Sequence, residues 1–287
     1  MTGDVRRVRA ANASAMTGTG TNSYIVGRGQ VAVIDPGPQD RAHLAALLGA
    51  LAPGETVAAI LVTHAHLDHS ALAPELAAIT GAPVHAFGTA GEGRSARMEQ
   101  LVAAGLTGGG EGVDHAFVPD QPMPDGHTIT LGGLTIEAIH TPGHMGGHLS
   151  FACDGVLFSG DHAMGWASSL ISPPDGDMGA YMASLDKLAR RAWRVMLPGH
   201  GDEVDSPAAR LAELAAHRRQ RETEVLAALG RGAGTATDLA ARIYRDTPPP
   251  LLPAAARNVL AHLIDLAERN QIIPEGPITA QTRFAIA

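Results

Sequence analysis

The 287-residue chain has little of several things. Its one cysteine, Cys153, cannot form an intrachain disulfide, and its place in an apolar, strand-like stretch points to a buried structural thiol. Aromatic residues make up 3% and offer no visible row of rings on which nucleic-acid bases could stack. No run approaches the roughly 18 apolar residues of a membrane helix, and the N-terminus carries Arg6, Arg7 and Arg9 without the apolar stretch of a signal peptide. A cytoplasmic location with no membrane partner is expected. Lysine is scarce against arginine, a skew that reflects coding bias rather than function. What remains, 45% hydrophobic and 17% charged, fits a soluble enzyme with one core of about 200 residues and a smaller unit.

Charge is unevenly divided. Residues 1–206 hold 11 basic and 21 acidic side chains, net −10, whereas residues 207–287 hold 10 and 8, net +2. A nucleic-acid enzyme normally displays a basic track for phosphates. Only Arg218, Arg219 and Arg221 hint at one, and a solvated helix face explains them equally well.

The most informative stretch is Thr63-His64-Ala65-His66-Leu67-Asp68-His69, directly after the apolar run Val57–Val62. That run, with Pro53-Gly54 before it, reads as a buried strand, so His64 and His66 leave its end on the same side. Asp68 and His69 then face a second ion, and the helical pattern from Ser70 lets the chain turn sharply. Imidazole nitrogen and carboxylate oxygen are zinc donors, and a catalytic zinc keeps an open position for water. Four groups shared by two ions leave both under-coordinated, so further ligands should follow. Thr141-Pro142-Gly143-His144, Ser159-Gly160-Asp161 and Leu197-Pro198-Gly199-His200 each come after a strand-like run, with glycine beside the candidate ligand where the backbone must turn tightly.

At these residues the chain resembles the metallo-beta-lactamase superfamily, whose ordered ligands are His-x-His-x-Asp-His followed by His, Asp and His at strand ends. The resemblance implies that His64, His66 and His144 hold one zinc, that Asp68, His69 and His200 hold the other, and that Asp161 bridges them. It also places Asp35, in Val33-Ile34-Asp35-Pro36-Gly37, behind the ligands as the carboxylate that orients the first histidine loop. Cysteine or serine at the Asp161 position would mark a dedicated antibiotic-degrading enzyme. Aspartate matches the glyoxalase II and nuclease-like branches. The implied fold is α/β, a four-layer αββα sandwich over residues 1–205.

Past Asp205 the pattern changes to helices over Pro207–Leu229, Thr235–Tyr244 and Leu252–Arg269, then the short strand-like Ile272–Gly276 and Thr282–Ile286. Residues 206–287 therefore read as a small, mainly helical, winged-helix-like domain. With Tyr181-Met182-Ala183-Ser184-Leu185, His217–Glu222, Asp246-Thr247-Pro248 and Asn258–Leu263, the chain is similar to the beta-lactamase-like protein 2 family. That family's animal member is an endoribonuclease directed at single strands.

Two Gly- and Pro-rich segments should border the pocket: Gly88–Pro124, with Arg94 and Arg97 expected in a helix followed by Gly108–Gly110, and Met164–Gly179. His148 is a candidate for substrate contact or proton transfer. His162 should point away from the site, Tyr181 should pack, and the remaining histidines read as structural or surface residues. The expected activity is hydrolysis by a metal-bridging hydroxide held between two Zn2+, with Fe or Mn as other candidate ions and Asp68 carrying a proton to the leaving group. The expected partner is a small ester, thioester or lactone-like acyl substrate, and a homodimer is admissible. The alternatives are an endoribonuclease acting on single-stranded RNA and, from another reaction class, a mononuclear iron persulfide dioxygenase.

Overall fold

The computed structural model describes residues 4–109 and 112–287, so Gly110 lies outside the described residues. Two sheets form its centre. The first orders β1 (Val5–Arg9), β2 (Asn22–Arg28), β3 (Gln30–Ile34), β4 (Thr56–Leu61), β5 (Val84–Ala86) and β6 (Gln121–Pro122) as they occur in the chain; β1 to β3 are antiparallel, β3 to β6 parallel. The second holds β7 (Thr128–Leu131), β8 (Leu134–His140), β9 (Leu149–Cys153), β10 (Val156–Gly160) and β11 (Val195–Pro198), with β10 and β11 its parallel pair.

Successive strand side chains point to opposite faces, and both faces here are apolar. Tyr24, Val26, Ala32, Ile34 and Leu61 meet Ala138, Phe151, Phe158 and Leu197 between the sheets. Ile25, Val31, Val33 and Ile60 pack outward on α1 (Arg41–Gly49) and α3 (Ala73–Thr80), the latter entered through the single turn α2 (Leu67–Ser70). On the far side Ile139, Leu157 and Met196 are covered by α5 (Met178–Ala189) and the first half of α6 (Pro207–Gly230). The order helix, sheet, sheet, helix is the expected αββα sandwich.

The C-terminal unit joins α7 (Ala236–Ile243), α8 (Leu252–Glu268) and a sheet ordered β12 (Gly234–Thr235), β14 (Arg283–Ile286), β13 (Ile272–Pro274). Its core contains Val225, Ala228 and Leu229 of α6, Leu239, Val259, Leu263 and Phe284. It also contains Met98 and Leu101 of α4 (Ala96–Ala103), which come from the middle of the chain. α6 is thus one helix with two partners: Leu211, Leu214 and Ala215 lie in the sandwich's outer layer and its last turns in the C-terminal core. Among the described residues no helix is long and apolar enough to cross a membrane.

The ends of β4, β8, β10 and β11 meet at one edge. Backbone bonds tie the loops there, Leu149 N–H donating to Thr63 O at 2.7 Å and Asn22 N–H to Gly199 O at 2.7 Å.

Candidate metal centre

Leaving β4, the chain places His64 Nε2 2.9 Å from His66 Nδ1, and the loop after β8 brings His144 Nε2 to 3.0 Å from the same nitrogen. Beside this trio, His69 Nε2 lies 3.3 Å from His200 Nε2 and 3.4 Å from Asp68 Oδ2, and His200 Nε2 is 3.3 Å from Asp68 Oδ2. Asp161 stands between the trios, with Oδ1 3.4 Å from His69 Nε2 and Oδ2 3.3 Å from His200 Nε2 and 3.8 Å from His144 Nε2. Ligand atoms about 2.0–2.1 Å from one tetrahedral ion are about 3.3 Å apart. The second trio has that spacing and the first is slightly closer. The six candidate ligands other than Asp68 are at most 8% exposed.

Hydrogen bonds behind the ligands decide which nitrogen faces inward. Asp35 accepts three of them: from Thr63 N–H at 2.7 Å, from the Thr63 hydroxyl at 2.9 Å and from His69 Nδ1 at 2.9 Å. The Thr63 oxygen, its proton committed to Asp35, accepts from His64 Nδ1 at 2.9 Å. His144 Nδ1 donates to the Leu170 carbonyl at 2.6 Å. His64 and His144 therefore each turn an unprotonated Nε2 toward the centre, as metal binding requires, while His69, its Nδ1 proton held by Asp35, offers Nε2 once a metal displaces the proton there. Asp35 adopts φ of 49°, uncommon for a residue with a side chain, to reach these partners. Lone pairs converging at about 3 Å, together with a buried Asp161 Oδ1 that has no hydrogen-bond partner among the described residues, are what a site for cations looks like from the donor side.

The two trios differ electrically. Burial, reinforced by His69, holds His64 neutral well below the usual imidazole range, and burial with His144 lowers His66 to about 3. At His69 burial acts in the same sense but Asp68, Asp161 and Asp35 outweigh it and raise the group well above its usual range. His200 rises to about 9, burial again being outweighed by Asp161 and Asp68. Burial would favour protonated carboxyls, yet His200 and His69 hold Asp161, and His69 and His200 hold Asp68, ionised. The carboxylate-rich half thus attracts positive charge, and protons and metal compete for it.

Asp68 is the open member, with a side chain 27% exposed and Oδ2 accepting from Thr21 Oγ1 at 3.0 Å. His148 is 0% exposed, so it does not face the opening. Its Nε2 accepts the Asp161 amide at 3.2 Å and its Nδ1 donates to Thr141 Oγ1 at 2.9 Å, which places it behind the bridging position. His162 points away from the centre, 4.7 Å from the packed Tyr181 ring. Cys153 is buried, with burial raising its thiol to about 11.

Several expectations about arginines need correction. Arg218 lies on no solvated face; it is 2% exposed. Arg219 comes within 4.0 Å of Asp186, and Arg221 pairs with Glu224 at 2.7 Å and lies over the Tyr244 ring, so the three form no track. Arg94 precedes α4 rather than lying in it and bonds Asp175 at 2.6 Å, joining the two Gly- and Pro-rich segments beside the centre. Those segments do border the site: Val113, Leu170, Ser172 and Asp175 line a small cavity with His66 and His144. An open trough of about 610 Å3 is lined among others by Trp166, Arg210, Asp202, Asp205 and Gly201, the residue after His200, and by none of the candidate ligands. Thr21, Thr63, Ser169 and the Leu170 carbonyl were not legible as site groups. For Thr63 alone, its place just before His64 was a signal.

Residues 16–200 match the family model described as metallo-beta-lactamase superfamily, and residues 235–277 match the beta-lactamase associated winged helix domain. A beta-lactamase-like protein 2 homolog of Drosophila melanogaster is 30% identical over 281 residues, 95% of this chain and 90% of that one. An atrochrysone carboxyl ACP thioesterase of Aspergillus aculeatus is 30% identical over 234 residues, 79% of this chain and 65% of that one. A metallo-beta-lactamase family protein from Thermus thermophilus superposes with a TM-score of 0.78 at 24% identity, over 99% of both chains, a likeness of fold. With side chains able to hold metal gathered at the shared edge of two sheets and a winged helix following them in the chain, the protein belongs to the metallo-beta-lactamase superfamily and is a metal-dependent hydrolase.

Proposed function

We propose that the chain is a dinuclear zinc hydrolase of small activated acyl compounds, thioesters first and oxygen esters or lactones beside them. The observation that carries the two-ion reading is the pair of three-ligand groups sharing Asp161 as neighbour. Ions bound there supply Lewis acidity and a water acidic enough to ionise near neutral pH. His64, His66 and His144 would hold one and Asp68, His69 and His200 the other, with Asp161 between and Asp35 fixing the rings from behind. Asp68, ionised, partly exposed and steadied by the Thr21 hydroxyl, is placed to orient a water and to pass its proton to the leaving group. His148, buried against the Asp161 amide, positions that carboxylate.

Three observations favour an acyl substrate. The fungal relative is named a thioesterase acting on a carrier-linked acyl group. The trough that reaches Gly201, the residue after His200, offers the half-exposed Trp166 indole as an apolar shelf, room for a small acyl group. Arg218 is buried, and Arg219 and Arg221 have carboxylate neighbours, so these arginines offer no track for an RNA backbone.

The test is turnover by zinc-loaded protein on a matched panel of thioesters, oxygen esters and lactones, run beside labelled single-stranded RNA with Asp161→Ala as control. Metal-dependent thioester cleavage absent from the control is expected. RNA cutting lost in the control, without acyl turnover, would replace this reading with the endoribonuclease. One iron per chain with oxygen consumption on a persulfide would replace the hydrolase itself.

A further inference from the structure

Arg218 is a buried cation without a carboxylate. It is 2% exposed, makes no ion pair among the described residues and leaves its Nε unpartnered, a costly arrangement unless its other donors do something specific. Nη2 donates to the Ser169 carbonyl and Nη1 to Asn258 Oδ1 at 3.2 Å. Asn258, on α8, accepts in addition from Ile171 N–H at 3.0 Å. Two side chains of the C-terminal unit therefore grip residues 169 and 171 from one side.

The residues they grip are those that hold the metal ligands from the other side. Leu170 O, between the two anchors, accepts His144 Nδ1–H at 2.6 Å. Ser169 Oγ donates to the Asp161 carbonyl and, at 2.9 Å, to that of His162. A displaced Leu170 carbonyl would leave the His144 proton without its acceptor, so the ring could turn or carry its proton on Nε2, where the metal must bind. The groups behind a ligand commonly govern affinity about as much as the ligand's own placement.

We propose that Arg218 and Asn258 are positioning residues through which the C-terminal helices set the metal affinity of the three-histidine site. The winged-helix unit completes the catalytic centre, in addition to anything it binds. This rests on the metal-centre reading and is independent of which acyl compound is the substrate.

The experiment uses the full chain and needs no substrate. Zinc dissociation constants are measured by competition with a chromophoric chelator, and visible absorption of the cobalt-loaded protein is recorded, for wild type, Arg218→Met, Arg218→Lys, Asn258→Leu and the control Leu263→Ala. Leu263 is 0% exposed in the C-terminal core, so truncating it lowers stability without touching the clamp. Arg218→Met and Asn258→Leu should weaken one of two bound ions by about 10- to 100-fold and alter the cobalt spectrum, with Arg218→Lys recovering part of the loss. Leu263→Ala should lower the unfolding midpoint and leave affinity and spectrum alone. Should Arg218→Met fail to fold, Asn258→Leu, which removes one neutral amide, carries the test. Folded Asn258→Leu with wild-type affinity and spectrum would overturn the clamp, as would a Leu263→Ala loss of equal size, since affinity would then follow overall stability. Wild type that binds no metal would remove the centre itself, a failure distinct from either.

Discussion

Gly199 lies close against two of the candidate ligands. A Cβ on it would lie 2.5 Å from Asp161 Oδ1 and 2.7 Å from the His69 ring, so Gly199→Ala must push the Asp161 carboxylate or the His69 ring aside. The expected result is loss of at least about tenfold in metal affinity with near-native secondary structure, read as metal per chain after dialysis against a weak chelator. Unchanged metal content would mean the backbone can yield there. Asp68→Ala removes the proposed ligand and proton carrier from the open side of the site, so turnover should vanish while the unfolding midpoint of the metal-free protein stays close to wild type. Persisting turnover would sink the role assigned to Asp68. The cluster of candidate ligands was readable because His and Asp side chains crowd six positions and recur after strand-like runs. Their supports were not, because the Leu170 carbonyl that orients His144 leaves no mark in a sequence. Arg218 did leave one. Leu211, Leu214, Ala215 and Arg218 stand at i, i+3, i+4 and i+7, so the arginine lies in the buried stripe of its helix.

Among the elements, α7 is short and depends on its start. Thr235 accepts from Asp238 N–H at 3.1 Å while Asp238 accepts from Thr235 N–H at 3.0 Å, a reciprocal cap. Thr235→Ala should cost about 1 kcal/mol, a midpoint drop of about 2–4 °C by calorimetry. A drop below about 1 °C would show that packing on α8 alone holds the helix. His262 on α8 is 2% exposed with neither ring nitrogen bonded, and burial followed by Arg218 lowers it to about 3. Its folded value lies below the unfolded one, so between about pH 6.5 and 3 the unfolded chain binds the extra proton and stability falls as pH falls. His262→Leu should flatten the decline of the unfolding midpoint between about pH 6.5 and 4, measured in metal-free protein. An unchanged slope would assign the acid sensitivity to other groups. The long helices and apolar strands were legible from period and caps, whereas β5, β6 and β12, two or three residues each, exist through pairing with neighbours and carry no pattern of their own.

At the level of the whole molecule, a division after residue 205 reads naturally from composition, and the packing adds what composition does not carry. The outer face of the second sheet is covered by α5 and by Leu211, Leu214 and Ala215, residues that come after such a cut. A chain ended at Asp205 should expose that face and appear in the insoluble fraction, checked by soluble yield against the full chain. Soluble, metal-binding protein from the shortened chain would show the sandwich to be self-sufficient. The contribution of α4 to the C-terminal core was hidden because contacts between residues about 130 positions apart follow from the fold and not from local pattern.

The helix shared by both cores also bears on descent. A winged helix attached by a loose linker could be traded between relatives as a cassette, each half keeping its own fit. Here a recombination crossover anywhere within residues 207–230 would splice two unrelated packing surfaces onto one rigid rod, and α4 would still have to match the newcomer. Substitutions on the two sides of that rod are therefore expected to change together, and chimaeras made by joining halves of different relatives should lose the fold well before they lose any single contact.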